Sequence, residues 1–134
     1  MDSTSLLAVA LGGAIGAVIR AHLLGLGGTP TGDPERASTQ RYPILATLLA
    51  NTLGCLLLGD WLAGAPADPD STRWLGDFVA VGLCGGLTTF STFCSDAVHL
   101  SRTEGRAAGV AYIAASFGLG TGGLWLGLGL PPLV

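Results

Sequence analysis

Apolar residues fill most of this chain, and polar positions are confined to short stretches between them. Four apolar windows reach about 20 residues or more, at approximately residues 5–27, 43–64, 74–100 and 107–130. An α-helix rises about 1.5 Å per residue, so about 20 apolar residues cross a hydrocarbon layer roughly 30 Å thick. The pattern predicts an all-α integral membrane protein, with four transmembrane helices in a single domain spanning residues 1–134.

Composition supports the membrane assignment and excludes several classes. Only 11% of the residues are charged, against about a quarter in soluble domains. No basic patch favours nucleic-acid binding. The three cysteines, Cys55, Cys84 and Cys94, lie inside the apolar windows without metal-ligand spacing, so neither zinc nor a disulfide framework is predicted.

The arginines predict an orientation in the cell membrane. The chain has no lysine, and Arg20 lies within the first window. The first and third connections, which lie on the same side of the membrane, together contain four arginines: Arg36, Arg41, Arg102 and Arg106. The second connection, on the opposite side, contains one, Arg73. The positive-inside rule places the first and third connections in the cytoplasm and both termini outside.

The third window contains an unusual polar stretch. Gly85 and Gly86 precede a run of hydroxyl residues and phenylalanines, near the middle of the window. Paired glycines weaken a helix and Ser/Thr side chains compete for its backbone hydrogen bonds, so a break at mid-membrane is predicted. Freed carbonyls are good ligands for a small hard cation. The alternative is a continuous helix whose glycines only allow close packing.

Three further residues near this depth have the chemistry to meet an anion. Phe90 and Phe93 are three apart and share a helix face, where their electropositive ring edges can face an anion or simply pack. Asn51, in the second window, offers two N–H donors to an anion or to a neighbouring helix.

Polar residues of the first and fourth windows are candidates as well. Arg20 is an intramembrane charge, which points to function unless it reaches the interface. Tyr112 and Ser116 are four apart and form one polar stripe, although such residues also pack helices without another role.

Three motifs in order resemble the Fluc (CrcB-type) fluoride channel family over nearly the whole chain. They are GGAIGAVIR at residues 12–20, ANTLGC at 50–55 and GLCGGLTTFSTF at 82–93. The resemblance implies a passive channel that exports cytoplasmic fluoride across the plasma membrane. It also implies a dimer of oppositely oriented subunits in the lipid bilayer, with a structural Na⁺ at its centre and two pores.

The same resemblance implies roles for single residues. Backbone carbonyls of Gly85 and Thr88 would bind Na⁺. The fluoride pore would contain Asn51, Phe90, Phe93, Tyr112 and Ser116, and Arg20 would lie in the aqueous vestibule.

Two other classes of membrane protein fit the sequence less well. A small proton-coupled multidrug antiporter also has four short spans, but it needs a membrane-embedded carboxylate. Asp60, Asp77 and Asp96 lie nearer the ends of the windows, and residues 5–27 contain no acid. A membrane enzyme is disfavoured because no nucleophile and base form a recognisable triad.

The arginine bias also bears on assembly. A chain that forms an antiparallel homodimer must insert in both orientations, so its arginines should be nearly balanced between the two sides of the membrane. A count of four arginines against one favours a single orientation. The hypothesis that follows is a heterodimer with an oppositely oriented paralogue, with the homodimer as its alternative.

Overall fold

The computed structural model describes residues 2–26, 42–65 and 72–131, and the regular secondary structure in these ranges is helical. Helix α1 spans Ser3–Leu26, and α2 spans Tyr42–Gly64. Helix α3 covers residues 73–87, with the π-helical stretch Asp77–Leu83 between short α-helical turns. Helix α4 spans Phe90–Thr103, and α5 spans Arg106–Gly129.

Four segments of the described ranges are long and apolar enough to cross a membrane. They are Ser3–Gly25, Ile44–Gly64, Arg73–Thr103 and Arg106–Gly129. The prediction of an all-α chain with four spans is therefore confirmed, with boundaries within a few residues of those expected. Gly27, Arg36 and Arg41 lie outside the described residues.

Helix α1 starts at a capped N-terminus. The backbone N–H of Ser5 donates to Oδ1 of Asp2 at 3.0 Å. Two hydrogen bonds from Ser5 lower the pKa of Asp2, and the one from the Ser5 side chain has the larger effect. An acidic N-cap satisfies a free N–H group and complements the positive end of the helix dipole.

Helices α1 and α3 pack with their backbones in contact, through glycines on both. A Cβ on Gly16 would lie 2.7 Å from the backbone nitrogen of Leu87, and one on Gly82 would lie 2.8 Å from the carbonyl oxygen of Val9. Without a hydrophobic driving force in lipid, helices associate through such close packing of small residues. This seam fixes α1 beside the end of α3.

Helices α2 and α5 form the second close pair. A Cβ on Gly123 would lie 3.0 Å from the carbonyl oxygen of Thr52, and one on Gly127 would lie 2.7 Å from the backbone nitrogen of Asp60. Glycines thus allow close packing in two separate helix pairs. The α2–α5 pair brings the polar stripe of α5 near Asn51.

The helical path is interrupted between α3 and α4. Thr88 and Thr89 are extended, with φ and ψ of −81° and 159° and of −149° and 120°. Gly85 remains within the last helical turn of α3, so the interruption follows the paired glycines by two residues. Its depth in a bilayer stays a prediction.

Candidate functional site

The extended backbone at Thr89 is paired with the side chain of Asn51 on α2. The N–H of Thr89 donates to Oδ1 of Asn51 at 2.8 Å, and Nδ2 of Asn51 donates to the Thr89 carbonyl at 3.2 Å. A continuous helix would direct the Thr89 N–H to the Gly85 carbonyl. Asn51 therefore forms the interhelical bond left open by the sequence, and it retains one N–H donor.

The neighbouring carbonyl, that of Thr88, accepts a hydrogen bond from a residue of α1. Nη1 of Arg20 donates to it at 2.7 Å, and the Arg20 side chain is half-buried. Arg20 thus contacts the interruption directly. Its predicted place in an aqueous vestibule stays a prediction.

Hydroxyl groups cluster where α4 begins. Oγ1 of Thr89 accepts the backbone N–H of Thr92 at 3.3 Å, the usual bond of a helix N-cap. It also lies 3.0 Å from Oγ1 of Thr92 and 3.4 Å from Oγ of Ser91. The start of α4 therefore combines a positive helix end with polar hydrogens.

Aromatic rings converge on Phe93 from α4 and α5. Its centroid lies 5.7 Å from that of Phe90 and 5.7 Å from that of Tyr112. Phe117 stands against it at 88° and 6.2 Å, an edge contact. Phe90 is 75% exposed in the subunit. The predicted pair Phe90 and Phe93 is thus part of a four-ring cluster.

Asp96, which lies toward the end of the third window in the sequence, adds a carboxylate beside these rings. The hydroxyl of Tyr112 donates to Oδ2 of Asp96 at 3.4 Å. Asp96 lies three residues after Phe93 on α4, a helix spacing that puts both on one face and was the available signal. Oγ of Ser116, one turn after Tyr112, is buried without a hydrogen-bond partner among the described residues.

An open groove of about 420 Å³ joins several of these groups. Its lining includes five of the predicted site residues, Asn51, Thr88, Phe90, Phe93 and Ser116. Phe117 and Thr121 line it as well. Phe117 was missed because nothing in its local sequence indicates the contact with Phe93. Tyr112 adjoins the groove through Phe93, whereas Arg20 reaches it only through Thr88.

Gly85 and Thr88, the predicted cation ligands, differ in how their carbonyls are used. The helical donor to Gly85 is diverted to Asn51, and Gly85 is exposed, with nothing within 4 Å of the position that a Cβ would occupy. The Thr88 carbonyl already accepts Arg20, which leaves it a second lone pair. The described residues contain no group of three His, Cys, Asp or Glu side chains suited to a metal. A cation here would depend on backbone oxygens.

Four membrane-spanning segments, with an interruption in the third beside a groove of polar and aromatic groups, define a multi-pass α-helical membrane protein. Residues 7–128 match the family described as CrcB-like protein, Camphor Resistance (CrcB). Because this match covers most of the chain, the protein belongs to the CrcB-like family.

Relatives agree over nearly their whole length. The chain is 40% identical to the "Fluoride-specific ion channel FluC 2" of Rhodococcus jostii over 126 residues, which cover 94% of this chain and 97% of the relative. It is 42% identical to the "Fluoride-specific ion channel FluC" of Roseobacter denitrificans over 130 residues, with 92% of each chain covered. The FluC of Stutzerimonas stutzeri is 37% identical over 126 residues, covering 94% and 95%.

Proposed function

We propose that this chain is a subunit of a passive, fluoride-selective channel that exports fluoride across the plasma membrane. The observation that carries the proposal is the groove in which an amide, hydroxyls and aromatic rings meet beside the interrupted helix. Membership of a family whose relatives are named fluoride-specific channels supports the same function. No catalytic step enters this function.

The groove has the donors that a small, strongly hydrated anion needs. A pore must replace the water around the ion with hydrogen-bond donors at close range. Asn51 keeps one Nδ2 hydrogen after pairing with Thr89, and Ser116 and Thr121 add hydroxyls. Ring edges of Phe90 and Phe93 supply further positive surface. These side chains are proposed as the fluoride path, with Tyr112 beside them.

The antiporter alternative finds less support. It requires a carboxylate at the substrate site, and no Asp or Glu lines the groove within the described residues. Asp96 lies next to it but is engaged with Tyr112. The names of the relatives favour the channel over the antiporter as well.

A structural Na⁺ between two oppositely oriented subunits is the second part of the proposal. The exposed Gly85 and the second lone pair of Thr88 support it, because carbonyl oxygens suit a hard cation. Two carbonyls are fewer than such a cation needs, so a second subunit would supply the others. When bound, the cation would add a positive charge that favours an anion nearby.

The arginine bias supports pairing with an oppositely oriented paralogue, with both termini of this chain outside. The exposed turn residue Glu104 offers a reporter for this orientation. A Glu104→Cys variant expressed in cells should react with a membrane-impermeant maleimide only after the cytoplasm is opened. Reaction from both sides, together with fluoride efflux by the purified chain alone, would contradict the heterodimer.

Fluoride efflux from proteoliposomes, compared with chloride efflux, tests the channel. The wild-type assembly, together with its partner where one is needed, should release fluoride and retain chloride. Asn51→Ala should lower fluoride efflux about tenfold or more, because a hydrogen bond to a charged group contributes about 1.5–3 kcal/mol and tenfold corresponds to about 1.4 kcal/mol. Phe90→Ile should lower efflux as well, because it removes the electropositive ring edge proposed to face the anion.

Phe78→Ile is the matched control, since Phe78 is half-buried in α3 and does not line the groove. Its efflux should remain near that of the wild type. Size-exclusion chromatography of every variant shows that assembly is intact. Unchanged efflux in both Asn51→Ala and Phe90→Ile would exclude the proposed path, and equal release of chloride would exclude a fluoride-selective channel.

A further inference from the structure

Arg20 binds the backbone atom that is also the proposed cation ligand. Nη1 of Arg20 donates to the Thr88 carbonyl oxygen at 2.7 Å, which joins the C-terminal third of α1 to the end of α3. The interruption frees this carbonyl from a helical partner, and a buried carbonyl without a partner costs free energy. In the single subunit, Arg20 supplies that partner.

The charge of Arg20 has a second effect at the same atom. An arginine side chain remains protonated in proteins, so a full positive charge stays on the guanidinium. A hard cation lies about 2.4 Å from a carbonyl oxygen that binds it. A cation on Thr88 would then lie within about 5 Å of Nη1, where two like charges repel strongly even at an effective dielectric constant near 20.

We infer that Arg20 and Na⁺ compete at the Thr88 carbonyl through the repulsion of their like charges, although the carbonyl has a lone pair for each, so that Arg20 sets how tightly the assembly holds its cation. This inference rests on the proposed Na⁺ site. Binding of the cation weakens the hydrogen bond from Arg20, and loss of the Arg20 charge strengthens binding of the cation. Arg20 is in this sense a positioning residue whose charge tunes a neighbouring site.

A purely structural tether makes a different prediction. If Arg20 only held α1 against the interruption, every substitution that removes the hydrogen bond would weaken the site alike. If its charge matters, a neutral side chain and a lysine differ, because lysine keeps the positive charge. The comparison of Arg20→Gln with Arg20→Lys therefore separates the two roles.

The experiment measures thermal unfolding of the purified assembly in detergent, with NaCl replaced stepwise by N-methylglucamine chloride at constant ionic strength. The readout is the Na⁺ concentration at half-maximal stabilisation. Arg20→Gln should lower it about tenfold, equivalent to about 1.4 kcal/mol of cation binding. Arg20→Lys should remain close to the wild type. Arg102→Gln is the control, since Arg102 is exposed in the last turn of α4.

A Na⁺ midpoint that is unchanged or higher in Arg20→Gln would overturn the inference. If that variant does not fold, solid-state NMR of the wild type tests the same inference. The dipolar coupling between ¹⁵N of Arg20 and the ¹³C-labelled Thr88 carbonyl should fall as Na⁺ is added, and a coupling that does not change would overturn the competition.

Absence of any Na⁺ stabilisation in the wild type would overturn both the Na⁺ site and the inference built on it. Fluoride efflux by the same preparation is measured separately. It reports on the channel function whichever way the Na⁺ experiment turns out.

Discussion

At the scale of single residues, Asn51 pairs with the interrupted backbone, and we propose that it also donates a hydrogen bond to fluoride. Its amide pairs with both backbone groups of Thr89, much as a strand partner would. That pairing fixes the rotamer and aims the remaining N–H without further ordering. A rigid donor is useful to a pore that must replace water around a small anion.

Tyr112 is the residue for which a hydroxyl and a ring can be tested apart. Tyr112→Phe keeps the ring contact with Phe93 and removes the long 3.4 Å bond to Asp96. We expect fluoride efflux to fall about tenfold if the hydroxyl contacts the ion, and the stability to change by less than about 1 kcal/mol. Proteoliposome efflux and thermal unfolding measure the two effects. Efflux equal to the wild type would place the hydroxyl outside the path.

At the scale of elements, the α1–α3 seam depends on space that only glycine leaves. A Cβ on Gly86 would lie 2.9 Å from the Cα of Gly13, a backbone atom that cannot turn away. Gly86→Ala should therefore destabilise the subunit by about 1–3 kcal/mol through overpacking. It should also displace the interruption and reduce efflux.

Gly25→Ala is the control for this seam, because nothing lies within 4 Å of its Cβ position. Alanine favours a helix, so its stability should equal or slightly exceed that of the wild type. Unfolding in a graded denaturant in detergent compares the two variants. Equal stability of both would show that the seam has room to relax.

The turn between α4 and α5 depends on glycine for a different reason. Gly105 has φ of 100° and ψ of 161°, a region of backbone conformation that is essentially limited to glycine. Space is available around it, so crowding is not the cause. Gly105→Ala should destabilise the α4–α5 hairpin by about 1–3 kcal/mol, measured by thermal unfolding. A stability unchanged from the wild type would show that the turn tolerates another conformation.

At the scale of the whole molecule, the described subunit leaves large apolar side chains on its outside, on α1 and α5 in particular. Examples are Leu7 at 64% exposure and Trp125 at 69%. In a membrane protein such faces meet lipid or another subunit. The same exterior carries few charges, so we expect the arginines of the connections to decide the orientation.

Neutralising arginines at the α4–α5 turn tests that orientation. Arg102→Gln with Arg106→Gln lowers the number of arginines on the first and third connections from four to two, against one on the second. Maleimide labelling at Glu104→Cys should then show molecules in both orientations. Retention of one orientation would show that another feature sets the topology.

The four spans could be predicted from the sequence because the length of an apolar window is a local property, and it can be compared directly with the thickness of the bilayer. The family could be predicted because three motifs retain their order in the chain. The candidate residues could be predicted because polar and charged side chains stand out within apolar windows.

Only the tertiary structure decided how those residues are used. Spacing along a helix shows which residues share a face but not which helix lies opposite. The pairing of Asn51 with Thr89, the bond from Arg20 to Thr88 and the place of Phe117 against Phe93 all join residues far apart in the chain. They depend on glycine seams that bring the helices together, and so on packing that a single helix cannot reveal.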